Sequence, residues 1–83
     1  MPQSGEILSI ELNRAVEAEI KKMLELKSAI IIEERKNEKF KIFLKEDPDK
    51  ALLQVMEIFG PKLYSFKRFK ATLGEYLEFL ERG

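Results

Sequence analysis

The residues whose types could support binding chemistry are concentrated in one stretch, residues 62–70, KLYSFKRFK. The stretch carries four basic side chains, three aromatic side chains and no acidic side chain. Single-stranded nucleic acids bind where bases can stack on exposed rings beside a cationic groove, so this composition indicates a nucleic-acid site as one hypothesis. Its candidate binding residues are Lys62, Tyr64, Lys67, Arg68 and Lys70. The competing interpretation is that the rings join the hydrophobic core and the basic side chains solvate the surface.

Catalytic chemistry has few candidate residues in this chain. There is no histidine and no cysteine, so the usual acid–base group at neutral pH and the strongest nucleophile are both missing. Glu33 and Glu34 are adjacent on a predicted strand and therefore point to opposite faces, where they cannot share a proton. The acidic side chains within residues 46–49 lie at a predicted helix start, which a capping role explains. The sequence thus predicts a protein that is not an enzyme and that uses no cofactor, metal ion or small-molecule substrate.

Length and composition indicate a single domain spanning residues 1–83, with residues 1–5 expected to be frayed because they offer little to bury. The absence of cysteine excludes a disulfide framework, and no run of apolar residues is long enough for a membrane-spanning helix. We therefore expect a cytoplasmic protein that contacts no membrane. Charged residues make up 36% of the chain, mostly glutamate and lysine, which is a bias typical of thermophilic proteins.

The net charge of zero hides a segregation of charge along the chain. Four basic and seven acidic residues give residues 1–34 a net charge of −3, and ten against five give residues 35–70 a net charge of +5. One basic and three acidic residues give residues 71–83 a net charge of −2. A basic middle segment between acidic ends is one sign of a binding surface, although solvated strand and helix faces produce the same pattern.

The elements that position these residues follow from hydrophobic periodicity. Residues 28–47 hold two runs in which apolar and charged side chains alternate, as half-buried antiparallel strands require. An Asp-Pro-Asp sequence at residues 47–49 predicts the start of a helix, and a Gly-Pro sequence at residues 60–61 predicts its end. The predicted elements are a strand at 6–12, a helix at 13–27 with Asn13 as its N-cap, strands at 28–35 and 38–46, and a helix from Asp47 to Gly60.

Residues 61–70 admit two interpretations. As a helix, which we favour, Leu63, Phe66 and Phe69 continue an apolar stripe; as a strand, neither face is cleanly apolar. Thr72 and Glu75 match the capping-box pattern at the start of a last helical piece. The predicted fold is accordingly α+β, a two-layer βαββα unit with a three-stranded antiparallel or mixed sheet and an extra C-terminal helical segment. If residues 61–70 form a strand, the fold is instead ferredoxin-like, βαββαβ with a terminal helix.

The predicted sheet has apolar side chains on both faces, with the strand at 38–46 in the middle. The face that the helices would cover carries Leu8, Ile10, Leu12, Ile30, Ile32, Phe40, Ile42 and Leu44. The other face would carry Ile7, Ile31 and Phe43, an apolar cluster that is uncommon on the surface of a monomer. We expect these three side chains to form a protein interface, covered by the C-terminal helix or by a second subunit. The predicted function is a non-catalytic interaction module that acts as a homodimer or as an accessory subunit of a larger assembly.

The order strand, helix, hairpin and helix over residues 7–59, with the hairpin ending FKIFLKEDPDKALL, resembles the small dimerisation subunit of the KEOPS tRNA-modifying complex. The resemblance implies a non-catalytic subunit that pairs with a like subunit and helps to hold the enzyme and tRNA. Leu53, Glu57 and Ile58 stand where that family carries an arginine and an Asn-Ser pair. No functional residue is therefore carried over from the family.

Overall fold

The computed structural model describes residues 5–82, which form three helices, four strands and one 3₁₀ turn, Gly60–Lys62. In chain order the elements are β1 (Glu6–Leu12), α1 (Glu17–Glu25), β2 (Ala29–Arg35), β3 (Lys39–Leu44), α2 (Pro48–Phe59), β4 (Leu63–Lys70) and α3 (Leu73–Arg82). Residues 1–4 and 83 lie outside the described residues, so the expected fraying concerns a segment of which only Gly5 is described. None of the three helices in the described part of the chain has the length and apolar character that a membrane crossing requires.

The fold is α+β, as the sequence predicts, with one antiparallel sheet in the strand order β2-β3-β1-β4. β3 lies between β1 and β2 and is antiparallel to both, which confirms the predicted middle position of this strand. The favoured three-stranded βαββα arrangement is wrong, because β4 adds a fourth strand along the other side of β1. The observed order is βαββαβ followed by α3, which is the ferredoxin-like alternative.

Residues 63–70 form a strand although the spacing of their apolar side chains suits a helix. β4 pairs with β1 along its length, and this pairing satisfies main-chain groups that a three-stranded sheet would leave open on β1. Phe66 lies opposite Ile10, and Phe69 lies opposite Ile7 on the other face. The aromatic residues also have a high strand propensity, so pairing with β1 and local preference together outweigh the helical spacing.

The helices α1 and α2 pack on one face of the sheet, which we call the front face, and form the larger hydrophobic core. Its buried members are Leu8, Ile10, Leu12, Ala15, Met23, Ala29, Phe40, Ile42, Leu44, Ala51, Leu52, Val55 and Phe59. The ring centroids of Phe40 and Phe59 lie 5.6 Å apart, so α2 packs directly on β3. The predicted placement of the apolar side chains of β1 and β3 on this face is confirmed.

The boundaries of α2 are as predicted, whereas α1 begins later than its pattern indicates. Asp47 holds the N-cap position of α2, and Gly60 ends the helix with a φ of 52°, in the region that favours glycine. Asn13 is not the N-cap of α1, because its amide donates to the carbonyl of Lys62 at 2.9 Å and holds the segment outside the helix. Val16 takes the N-cap position instead.

The opposite face of the sheet, which we call the back face, is covered by α3. The predicted capping box is present, since the Thr72 amide donates to the Glu75 carboxylate at 2.9 Å and the Glu75 amide donates to the Thr72 hydroxyl at 3.1 Å. From this start α3 places two rings on Phe43, with centroid distances of 5.9 Å to Tyr76 and 5.3 Å to Phe79. These aromatic contacts, together with Ile7 and the buried Ala71, form a second, smaller core.

The two sheet faces of β2 are exchanged relative to the sequence prediction. Ile30 lies opposite Phe43, and Ile30 and Ile32 pack against the second core on the back face. Ile31 lies opposite Ile42 and packs against the larger core on the front face. A register shift between Ile31 and Glu33 adds one residue to β2 relative to β3. Such a bulge places an extra side chain on one face, and strict alternation along β2 could not reveal it.

Gly5 is required by the close packing of α3, and this requirement gives a testable prediction. A Cβ atom at Gly5 would lie 2.6 Å from Cδ1 of Tyr76 and 2.8 Å from Cε1 of Phe43, whereas a Cβ atom at Gly74 would meet nothing within 4 Å. We expect Gly5→Ala to lower the free energy of unfolding by about 1–3 kcal/mol through overpacking. The matched Gly74→Ala control, within α3, should raise it by about 0.5–1 kcal/mol. Urea denaturation of both variants measures the difference, and equal effects would contradict this packing.

Candidate interaction surface

The predicted interface of Ile7, Ile31 and Phe43 is not an exposed patch, and this expectation is corrected. Phe43 is 0% exposed and Ile7 is 9% exposed, because the two rings of α3 pack over them. Ile31 lies on the other face, partly buried under the helices of the front layer. Of the two ways in which the back face could be covered, the chain uses its own C-terminal helix. An unsatisfied back face therefore gives no reason to expect a partner.

Exposed apolar side chains are concentrated instead in residues 63–82, which we call the C-terminal unit because they comprise β4 and α3. Among the described residues, nine large hydrophobic side chains are exposed, and six of them belong to this unit. The six are Tyr64, Phe66, Phe69, Leu73, Leu77 and Leu80. The C-terminal unit thus carries most of the exposed large hydrophobic side chains of the described residues.

On α3 the exposed side chains form a stripe beside the buried one. Tyr76 and Phe79 face the sheet, while Leu73, Leu77 and Leu80, separated by four and three residues, remain exposed. This spacing brings the three leucines onto one side of the helix. We call them the leucine stripe. An amphipathic helix normally buries such a stripe, so the described part of the chain leaves it without an apolar neighbour layer.

On β4 the exposed side chains are aromatic and lie on both faces of an edge strand. Phe66 is 46% exposed on the front face, Phe69 is 50% exposed on the back face, and Tyr64 is 65% exposed. Each phenylalanine extends an apolar layer outward from its neighbour on β1 to the margin of the sheet. We call these three residues the aromatic edge. Its two phenylalanine rings are half-buried against the sheet, unlike the freely projecting rings of a base-stacking platform.

Two of the five candidate nucleic-acid-binding residues are engaged in ion pairs that hold the fold together. The Lys62 ammonium lies 2.9 Å from the Glu19 carboxylate. A hydrogen bond from the Val16 amide, and then the contact with Lys62, lower the pKa of Glu19 below its usual value. This pair ties α1 to the segment that enters β4.

Arg68 is held by two carboxylates at once. Its guanidinium donates to Glu6 on β1 and to Asp49 at the start of α2, each at 2.7 Å. Hydrogen bonds to these two carboxylates raise the pKa of Arg68 above its ordinary value. Two of the five guanidinium N–H groups are used in this way, and the two carboxylates neutralise the positive charge that would attract a phosphate. The two ion pairs connect β4 with β1 and with the start of α2.

The other three candidate residues are less constrained, but they do not converge. The Tyr64 hydroxyl donates to the Glu11 carboxylate at 3.4 Å. Lys67 and Lys70 have no acidic partner within 4 Å among residues 5–82. Residues two positions apart on a strand lie on the same face, so Lys67 shares the back face with Phe69. The structure therefore leaves two lysines as the available cationic groups of the stretch.

The acidic side chains singled out in the sequence do not form a metal-binding group in the described part of the chain. Within residues 5–82 there is no group of three acidic, histidine or cysteine residues that could hold a metal ion. Asp49 is committed to Arg68, and the Glu34 carboxylate accepts a hydrogen bond from the Asn37 amide in the β2–β3 turn. Glu33 pairs with Lys41, and Asp47 occupies the N-cap position of α2 without a side-chain capping hydrogen bond, so the expected capping role of its carboxylate is not observed.

Sequence reasoning missed the C-terminal unit as a surface. The five apolar positions of α3, which are Leu73, Tyr76, Leu77, Phe79 and Leu80, span too wide an arc of the helix for one contact. The width of that arc was the sequence signal that α3 has a second, exposed apolar side.

The chain matches no protein-family model, and no curated protein or solved structure is significantly similar to it.

Proposed function

We propose that this protein is a cytoplasmic, non-catalytic protein–protein interaction module, acting as a homodimer or as an accessory subunit of a larger assembly. The observation that carries the proposal is the C-terminal unit, which holds six of the nine exposed large hydrophobic side chains of the described residues. A concentration of exposed apolar side chains on a small protein is characteristic of association sites. Aromatic side chains are also enriched at the centres of protein interfaces.

The electrostatics of the same unit support a protein partner over a nucleic acid. A nucleic-acid surface gains most of its affinity from lysine and arginine side chains that neutralise phosphates. Here Lys62 and Arg68 are already neutralised by carboxylates of the same chain. The adjoining helix α3 carries Glu75, Glu78 and Glu81 against one basic residue, which would repel phosphates. A KEOPS-type assembly is one specific form of the proposal, since that resemblance implies a subunit that pairs with a like subunit.

The test compares the same double substitution, leucine to lysine, at two different places on the surface. Leu73→Lys/Leu77→Lys places two charges in the leucine stripe, and Leu24→Lys/Leu53→Lys places two charges on exposed leucines outside the C-terminal unit. Size-exclusion chromatography with light scattering measures self-association, and affinity purification from the native host followed by reconstitution with the purified partner measures hetero-association. We expect the parent protein and the Leu24/Leu53 control to assemble, and the Leu73/Leu77 variant to assemble at least about tenfold more weakly. A parent protein that forms no assembly in either experiment would overturn the proposal.

The nucleic-acid alternative rests on Lys67 and Lys70 and is tested separately. Fluorescence titration of single-stranded RNA at two salt concentrations should show no binding by the parent protein beyond weak, nonspecific contact. Salt-sensitive binding that disappears in Lys67→Glu/Lys70→Glu would instead assign the function to nucleic-acid recognition, because neutralised phosphates produce such a salt dependence.

A further inference from the structure

The two edges of the sheet are treated differently by the rest of the chain. The β2 edge carries a bulge between Ile31 and Glu33, and Arg82 of α3 donates a hydrogen bond to the Ile32 carbonyl at 3.3 Å. Bulges and covering side chains are the devices by which proteins protect an edge against pairing with another strand. The β2 edge is therefore protected.

The β4 edge has a register shift of its own, which leaves Tyr64 as an extra residue near the start of the strand, but the edge that follows is uncovered. β4 is the longest strand, with eight residues and no proline or glycine within it, and among residues 5–82 no side chain donates to its carbonyls. β4 has a neighbouring strand on one side only, since β1 lies at its inner side and the sheet order ends there. Alternate main-chain amides and carbonyls along an edge strand point outward, where another strand can bind them.

The side chains of β4 show what kind of strand would fit. Its first four residues, LYSF, are uncharged, and its last four, KRFK, contain all of its charge. In an antiparallel pair of β4 strands, the charged half of one copy lies against the uncharged half of the other. The strand is therefore complementary to its own reverse, which is the requirement for a twofold-symmetric interface.

We propose that β4 pairs antiparallel with β4 of a second copy of this chain, with Phe66 on the twofold axis, to form a continuous eight-stranded sheet. The inference rests on the proposed interaction function and names the partner. In this register Phe66 lies opposite Phe66 of the other copy and Ser65 lies opposite Lys67, within the regular part of β4 that follows the extra residue Tyr64. Directly opposed residues share a face, so each exposed Phe66 ring gains the other as a neighbour across the new pair.

The neighbouring registers are less favourable. Centring the pair on Lys67 places two lysines directly opposite each other, and like charges in that position are destabilising. Centring it on Ser65 leaves Arg68, Phe69 and Lys70 beyond the paired region and shortens the ladder. The register centred on Phe66 opposes no two like charges within β4 and places the two Phe66 rings side by side.

A charge-pair experiment tests the position of the axis. Phe66→Lys and Phe66→Glu each place two like charges on the axis, so each variant alone should dimerise at least about tenfold more weakly than the parent protein in sedimentation equilibrium. An equimolar mixture should restore a one-to-one heterodimer, because opposite charges then face each other. Circular dichroism confirms that both variants are folded, and the matched pair Leu53→Lys and Leu53→Glu should leave the parent dimer unchanged.

The outcomes separate this inference from the proposed function. A parent protein that stays monomeric at all accessible concentrations overturns the β4 dimer, while the interaction function is then decided by purification from the host. A dimer that persists in both Phe66 variants but is weakened in Leu73→Lys/Leu77→Lys overturns the β4 axis and keeps the interaction function. Weakening by both Phe66 variants without recovery in the mixture places the axis elsewhere and also overturns the inference.

Discussion

Phe43→Ala is expected to lower the free energy of unfolding by about 3–5 kcal/mol, which is a large part of the about 4–12 kcal/mol typical for a domain of this length. The side chain is fully buried on the back face and carries the ring contacts of both Tyr76 and Phe79. Truncation to alanine therefore leaves a cavity between β3 and α3 and removes the main anchor of that helix. Urea denaturation followed by circular dichroism measures the loss.

Two further variants show whether the loss arises at the contact with α3. Phe79→Ala removes a ring from the same contact and should cost about 2–4 kcal/mol, whereas Leu77→Ala changes an exposed neighbour on the same helix and should stay within about 0.5 kcal/mol of the parent. Because Phe43 and Phe79 are in contact, the double variant should be less destabilised than the two single effects predict when added. Additive effects would contradict the direct packing of these rings.

Removal of residues 72–83 is the second change with a large expected effect. The truncated chain keeps all four strands and both front helices, but it loses the helix that buries Phe43 and shields Ile7. We expect it to bind the hydrophobic dye ANS strongly and to associate into species larger than a dimer, because the bared face of the sheet can find cover only in other molecules. Light scattering and dye fluorescence measure these effects.

A full-length variant with a disrupted outer surface serves as the control for the truncation. Leu73→Lys/Leu77→Lys retains Tyr76 and Phe79, so it should bind no more dye than the parent protein and should form no large species. If the truncated protein remained a dye-negative monomer with unchanged stability, the covering role of α3 would be refuted.

The parts of the fold that follow from the sequence are those with local signals. The alternation of apolar and charged residues identifies β1 and β3 as strands. The Asp-Pro-Asp start at residues 47–49 and the Gly-Pro end at residues 60–61 set the limits of α2, because capping and backbone geometry depend on adjacent residues. The Thr72–Glu75 capping box is of the same kind, and its reciprocal hydrogen bonds are present.

The parts that could not be predicted depend on contacts between distant residues. β4 is a strand because β1 lies beside it, more than fifty residues earlier in the chain, and no window of sequence contains that information. The bulge after Ile31 exchanges the faces of β2, since one inserted residue reverses every side chain that precedes it. The exposed interface predicted for Ile7, Ile31 and Phe43 is absent for two reasons. The bulge places Ile31 on the front face, and α3 folds back over Ile7 and Phe43 on the back face.

The position of α3 in the chain has a consequence for synthesis on the ribosome. Translation proceeds from the N-terminus and domains fold as their segments emerge, so all four strands are made before the helix that shields Phe43. A nascent chain can therefore assemble a complete sheet whose rear surface is still bare. During that interval the chain would be a client for chaperones that recognise hydrophobic surface, and the need would end as soon as Tyr76 and Phe79 emerge and dock.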